Sequence, residues 1–194
     1  MGQGRRLAFF IYVWFALALA ISVSGLIQFV PGPLMPPLVF GQLAVFLAFT
    51  LWPKESRAHI RGLNMRWLTM FHLWRLLPAC AFLILYNFGM LPGSFALTAG
   101  IGDLIIAVWA PLVAERLELG NPKVLASFHI LGLFDLLLVL SRGIPLLMAG
   151  DEQMQLMTQF PLSLLPLCLV PLTLGMHAIA LYAIARSGLL FRAQ

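Results

Sequence analysis

The sequence predicts an all-α fold: a polytopic membrane bundle of six transmembrane helices with both termini cytoplasmic. Composition, segment length and charge placement each point there. Of the 194 residues 61% are hydrophobic and only 10% charged, with a mean hydropathy of +0.96, whereas soluble domains hold roughly 45–50% apolar residues. A membrane helix needs ~20 mainly apolar residues, so six spans with short connections account for the chain as a single transmembrane domain, residues 1–194.

The first span, Leu7 to Val30, follows Arg5 and Arg6 and ends at Pro31-Gly32-Pro33, where the missing backbone donors break a helix. It is longer than a secretory h-region and no A-x-A site follows it, so it reads as a retained helix. The second, Leu34 to Trp52, stops at the polar run from Pro53 to His59. The third, Arg66 to Phe88, and the fourth, Pro92 to Glu115, are separated only by Gly89-Met90-Leu91, which makes them antiparallel neighbours. The fifth runs from Val124 to Ala149 after a polar loop, and the sixth from Pro161 to Ala185 after Asp151-Glu152.

With the N-terminus inside, Arg5, Arg6, Lys54, Arg57, Arg61, Arg66, Arg116, Lys123, Arg186 and Arg192 all fall on the cytoplasmic side, ten of the 12 basic residues. That asymmetry is the positive-inside signature and predicts the cytoplasmic (inner) membrane. The formal charge of +5 is spread over these short loops, so it marks topology and not a nucleic-acid partner. Trp52, Trp67, Tyr86 and Tyr182 near span ends suit interfacial anchoring. Cys80 and Cys168 lie within apolar segments, where a thiol acts as a small hydrophobe, and no disulfide or zinc spacing occurs.

Three charges lie inside the spans. At 1.5 Å per residue, Arg75, Asp103 and Asp135 sit about 13, 18 and 16 Å from the cytoplasmic ends of spans three, four and five. A charge at that depth costs ~2.5–3.5 kcal/mol or more on insertion scales, so it turns inward and finds a partner. One layer therefore holds one guanidinium and two carboxylates. Their excess negative charge calls for a proton or a cation. Two readings stand side by side: a salt bridge that fixes helix rotation, and a binding site or relay for a small solute, ion or proton. Arg142, seven residues after Asp135, reaches the outer interface by snorkelling.

Thr98, Gly100 and Gly102 belong to a small-residue pattern in span four, with Ser94 and Ala96, that lets neighbouring helices approach closely. Pro78, Pro111, Pro145, Pro166 and Pro171 each free a carbonyl four residues earlier, which needs a substitute donor inside a membrane. His72, His129 and His177 share the inner half of spans three, five and six. Two such imidazoles can hold a haem axially, or coordinate a metal, with Arg75 placed to meet a propionate. They equally serve as hydrogen-bonding groups between helices.

Gly100-Ile101-Gly102-Asp103 resembles the G-x-G-D motif of intramembrane aspartyl proteases such as prepilin peptidases and presenilins. The resemblance implies two membrane carboxylates sharing a proton to activate water. The chain departs from that pattern, because no aspartate precedes residue 103 and Asp135 follows it. More broadly, Arg75 with Pro78, the G-x-G-D segment, Leu131-Gly132-Leu133-Phe134-Asp135, and Pro166 through Pro171 to His177 are similar to small bacterial multi-pass membrane proteins without an assigned activity. That resemblance spans the last two-thirds of the chain and implies fold and localisation.

The partners expected are the lipid bilayer, a small solute, ion or proton, and an oligomer or membrane complex in which the chain is a scaffold subunit. No nucleotide-binding loop, nucleophile constellation or soluble catalytic domain is visible, which leans away from enzyme chemistry.

Overall fold

The computed structural model describes residues 3–52, 60, 63–116 and 122–187. Among these, regular structure is entirely helical: α1 (Gln3–Ser24), α2 (Met35–Leu51), α3 (Met65–Phe71), α4 (Leu76–Asn87), α5 (Gly93–Arg116), α6 (Pro122–Met148) and α7 (Val170–Ser187), with short 3₁₀ and π turns between them. Six stretches are long and apolar enough to cross a membrane: Gly4–Ser24, Gly32–Leu51, Met65–Asn87, Gly93–Glu115, Pro122–Met148 and Leu165–Arg186. The polar run 53–59, the loop 117–121 and the basic residues Lys54, Arg57, Arg61 and Arg192 lie outside the described residues.

Backbone chemistry moves two boundaries. Span one stops at Ser24 and not Val30, because Gly25 adopts a left-handed conformation (φ 73°) and a 3₁₀ turn, Leu26–Phe29, follows. Span six begins at Leu165 and not Pro161. Pro166 has no N–H to offer Leu162, whose carbonyl instead takes the Leu165 N–H at 3.0 Å in a tight turn.

The chain divides into two compact units. The first comprises Met1–His59 with Ser141–Gly175. Its core gathers Ala18, Ile27, Met35, Leu167 and Cys168, with Trp14 and Leu147 packed against them. A π turn at Leu165–Leu169 passes the Val170 N–H back to Leu165 and leaves the Pro166 carbonyl without a backbone partner; Pro171 likewise deprives Leu167. Side chains from the first two spans fill both gaps. Gln42 Nε2 donates to the Pro166 carbonyl at 3.1 Å, and Trp14 Nε1 donates to the Leu167 carbonyl at 3.1 Å and to Gln42 Oε1 at 2.8 Å. At these two carbonyls the substitute donors that intramembrane prolines require are present. The hydroxyls of Ser22 and Ser163 bond each other in the same unit.

The second unit comprises Ile60–Leu140 with Met176–Gln194. Asn64 caps α3 by accepting the Trp67 N–H at 3.2 Å. The third span then tightens into a 3₁₀ turn, His72–Arg75, ahead of Pro78, which cannot donate to the Trp74 carbonyl. α4 and α5 form a hairpin whose turn holds Gly89 at φ 68°. Ala96, Ala99, Ala107 and Ala110 give α5 a buried face of small side chains, and Gly100 lets the Leu83 side chain approach; a Cβ there would lie 2.7 Å from Leu83 Cγ. Ile106, Ala110 and Val113 pack with Leu125, Phe128 and Ile184. Trp67, Leu77, Phe88, Ile105 and Phe134 are exposed, an apolar surface that only lipid solvates without cost.

Candidate functional site

The 3₁₀ turn decides the geometry of the second unit's interior. Residues three apart eclipse in such a turn, so His72 and Arg75 project from one edge, and both are fully buried. Arg75 Nε donates to Asp103 Oδ1 at 2.5 Å, and Arg75 Nη2 donates to Asp135 Oδ2. Asp103 is buried and Asp135 half-buried. One guanidinium from the third span therefore holds two carboxylates from α5 and α6, as charges at this depth demand. The third nitrogen, Nη1, is buried with no hydrogen-bond partner among the described residues.

Gly102 makes the second of these bonds sterically feasible. A Cβ at that position would overlap the Asp135 carboxylate. In the G-x-G-D segment, then, Gly100 admits the neighbouring helix, Gly102 admits a carboxylate, and Asp103 supplies the other. The guanidinium stands between the two carboxylates, whereas the protease chemistry implied by that motif needs them to share a proton directly. Thr98 takes no part: it is half-buried and its hydroxyl bonds back to the Ser94 carbonyl at 3.0 Å. Arg142 is exposed.

Within the same unit, His72, His129 and His177 converge. His72, His129 and His177 are each 0% exposed. The His72 and His177 rings stack with centroids 3.9 Å apart and planes 16° from parallel, and His129 meets both edge-on. The Nδ1 atoms of His129 and His177 are 3.0 Å apart. Both nitrogens of His72 and the Nε2 atoms of His129 and His177 have no hydrogen-bond partner among the described residues, a costly state in an apolar interior, at about 1–3 kcal/mol for each unsatisfied polar group. One nitrogen from each ring lies within 4.8 Å of the others, a grouping that suits a single ion. Axial haem ligation needs two imidazoles on opposite faces of a flat macrocycle, an arrangement that the stacked pair His72 and His177 does not present.

Gly132 is the residue that sequence reasoning named only within a resembling segment and gave no role. A Cβ there would overlap the His177 ring, so its missing side chain gives that imidazole its place. A signal existed: Gly132 follows His129 by three residues and shares its helix face.

Comparison with known families adds one match. The model described as "Domain of unknown function (DUF8737)" matches residues 33–185, most of the chain. The protein belongs to the DUF8737 family. The DUF8737 match includes Arg75, Asp103, Asp135 and the three histidines, and begins after α1. No curated protein and no solved structure matches the chain.

Proposed function

We propose that this DUF8737 member is a multi-pass protein of the cytoplasmic membrane, both termini inside, that binds or transports a small solute, ion or proton at Arg75, Asp103 and Asp135. One observation carries the reading: a single buried guanidinium is shared by two carboxylates. With both carboxylates ionised the group keeps one excess negative charge, and an apolar interior strongly favours its neutralisation by a proton or a cation. Of the three ligand classes, the charge count supports the cationic ones. Asp103 and Asp135 then serve as acceptors, and Arg75 holds them in place and limits their charge. The unpaired Nη1 offers a donor to a water that accompanies the ion, or to an acceptor atom of a small solute.

A purely structural bridge is the competing account, and the two separate cleanly. The purified protein is reconstituted into liposomes that enclose a pH-sensitive dye, and proton entry is driven by a potassium diffusion potential, with sodium gradients as a second probe. The proposal expects flux above protein-free vesicles, lost in Asp103→Asn and Asp135→Asn while both variants remain monodisperse. Flux indistinguishable from protein-free vesicles for both cations, or undiminished in both variants, would contradict it.

A further inference from the structure

We infer that His72, His129 and His177 form a binding site for one divalent transition-metal ion, of which zinc is the natural representative. This goes beyond the ionic centre of the proposed function and does not rest on it. Three observations carry it. The three imidazoles come from three different spans, yet each is wholly buried and one nitrogen of each lies within 4.8 Å of the other two. Four of their six ring nitrogens have no partner among the described residues. The remaining two, Nδ1 of His129 and Nδ1 of His177, face each other at 3.0 Å.

The close approach of those two nitrogens has two chemical explanations. Either one carries the proton and donates to the other, or both turn lone pairs on one ion. Ligand nitrogens at ~2.0–2.1 Å from a tetrahedral zinc stand about 3.3 Å apart, close to the observed separation. The second explanation gives His72, which the hydrogen-bond account leaves without any partner, a role as third ligand once its ring turns out of the stack with His177 to aim an in-plane lone pair at the ion. Neutral imidazole is a preferred ligand of zinc and its neighbours in the first transition row. Three imidazoles leave a fourth position open for water or an exchanging ligand. Gly132 is the positioning residue, since its bare Cα leaves room for the His177 ring.

The test uses the full chain in detergent, purified through a tag that contains no histidine and stripped with a chelator. Titration with Zn²⁺ by calorimetry, and with Co²⁺ by visible absorption, is expected to give one ion per chain and the intense cobalt bands of a tetrahedral nitrogen site. His72→Gln, His129→Gln and His177→Gln should each weaken binding at least about tenfold, and Gly132→Ala should weaken it while retaining all three ligands. Asp103→Asn and Asp135→Asn should bind zinc as the parent does, so that a wild-type chain without ion flux, or variants with undiminished flux, sinks only the function proposed above while zinc binding stands. A chain that binds no Zn²⁺ or Co²⁺, or whose affinity is unmoved by His72→Gln, overturns the site. The wild-type titration decides the matter even where a variant fails to fold.

Discussion

A side chain at residue 102 would begin where the carboxylate of Asp135 lies. Gly102 on α5 and Asp135 on α6 are thus one device: the glycine opens the space, and the aspartate uses it to reach Arg75. Replacing Gly102 by Ala should displace the carboxylate and break that bond, at a cost of about 1–3 kcal/mol. Gly41→Ala on α2 is the control, because a Cβ there meets nothing within 4 Å; it should be neutral or gain up to about 1 kcal/mol from reduced chain entropy. Denaturant unfolding in mixed micelles reads both. Equal losses for the two variants would refute the pairing.

The proline-rich start of the sixth span supports a second prediction. The Leu167 carbonyl lacks its helical donor because residue 171 is proline, and Trp14 Nε1 supplies the substitute. Trp14→Phe should cost about 1–3 kcal/mol by leaving that carbonyl unsatisfied. In a Pro171→Ala background the backbone regains its N–H, and the same Trp14 change should cost clearly less. A double-mutant cycle with no coupling would remove the link.

Topology is open to direct measurement. The charge asymmetry of the loops predicts that the segment after Asp151 lies outside and that around Gly120 inside. Alkaline phosphatase inserted after Asp151 should be active and after Gly120 inactive; the reverse pattern would invert the orientation.

The meeting of the charged groups was legible in the sequence, because a helix advances a fixed 1.5 Å per residue and a mid-membrane charge is compelled inward. Arg75, Asp103 and Asp135 could be assigned one layer on that ground alone. Rotation about each helix axis was not legible, since packing between spans sets it. That His72 stacks on His177, or that Gly132 makes room for it, depends on three spans turning the right faces together. Local irregularity was visible only as a cause: Pro78, Pro166 and Pro171 announced lost hydrogen bonds. They did not disclose that a 3₁₀ turn would eclipse His72 with Arg75, or that Trp14 and Gln42 would serve the freed carbonyls.

The claim that one buried guanidinium holds two carboxylates in an apolar interior is tested most directly by removing the cation alone and then the whole group. Arg75→Met strands two carboxylates in an apolar interior, and the account predicts a loss of about 3–5 kcal/mol. The triple variant Arg75→Met, Asp103→Asn, Asp135→Asn removes the charges together and should recover most of that loss in the same unfolding assay. A triple variant no more stable than Arg75→Met would contradict the account, because the carboxylates would then owe nothing to Arg75.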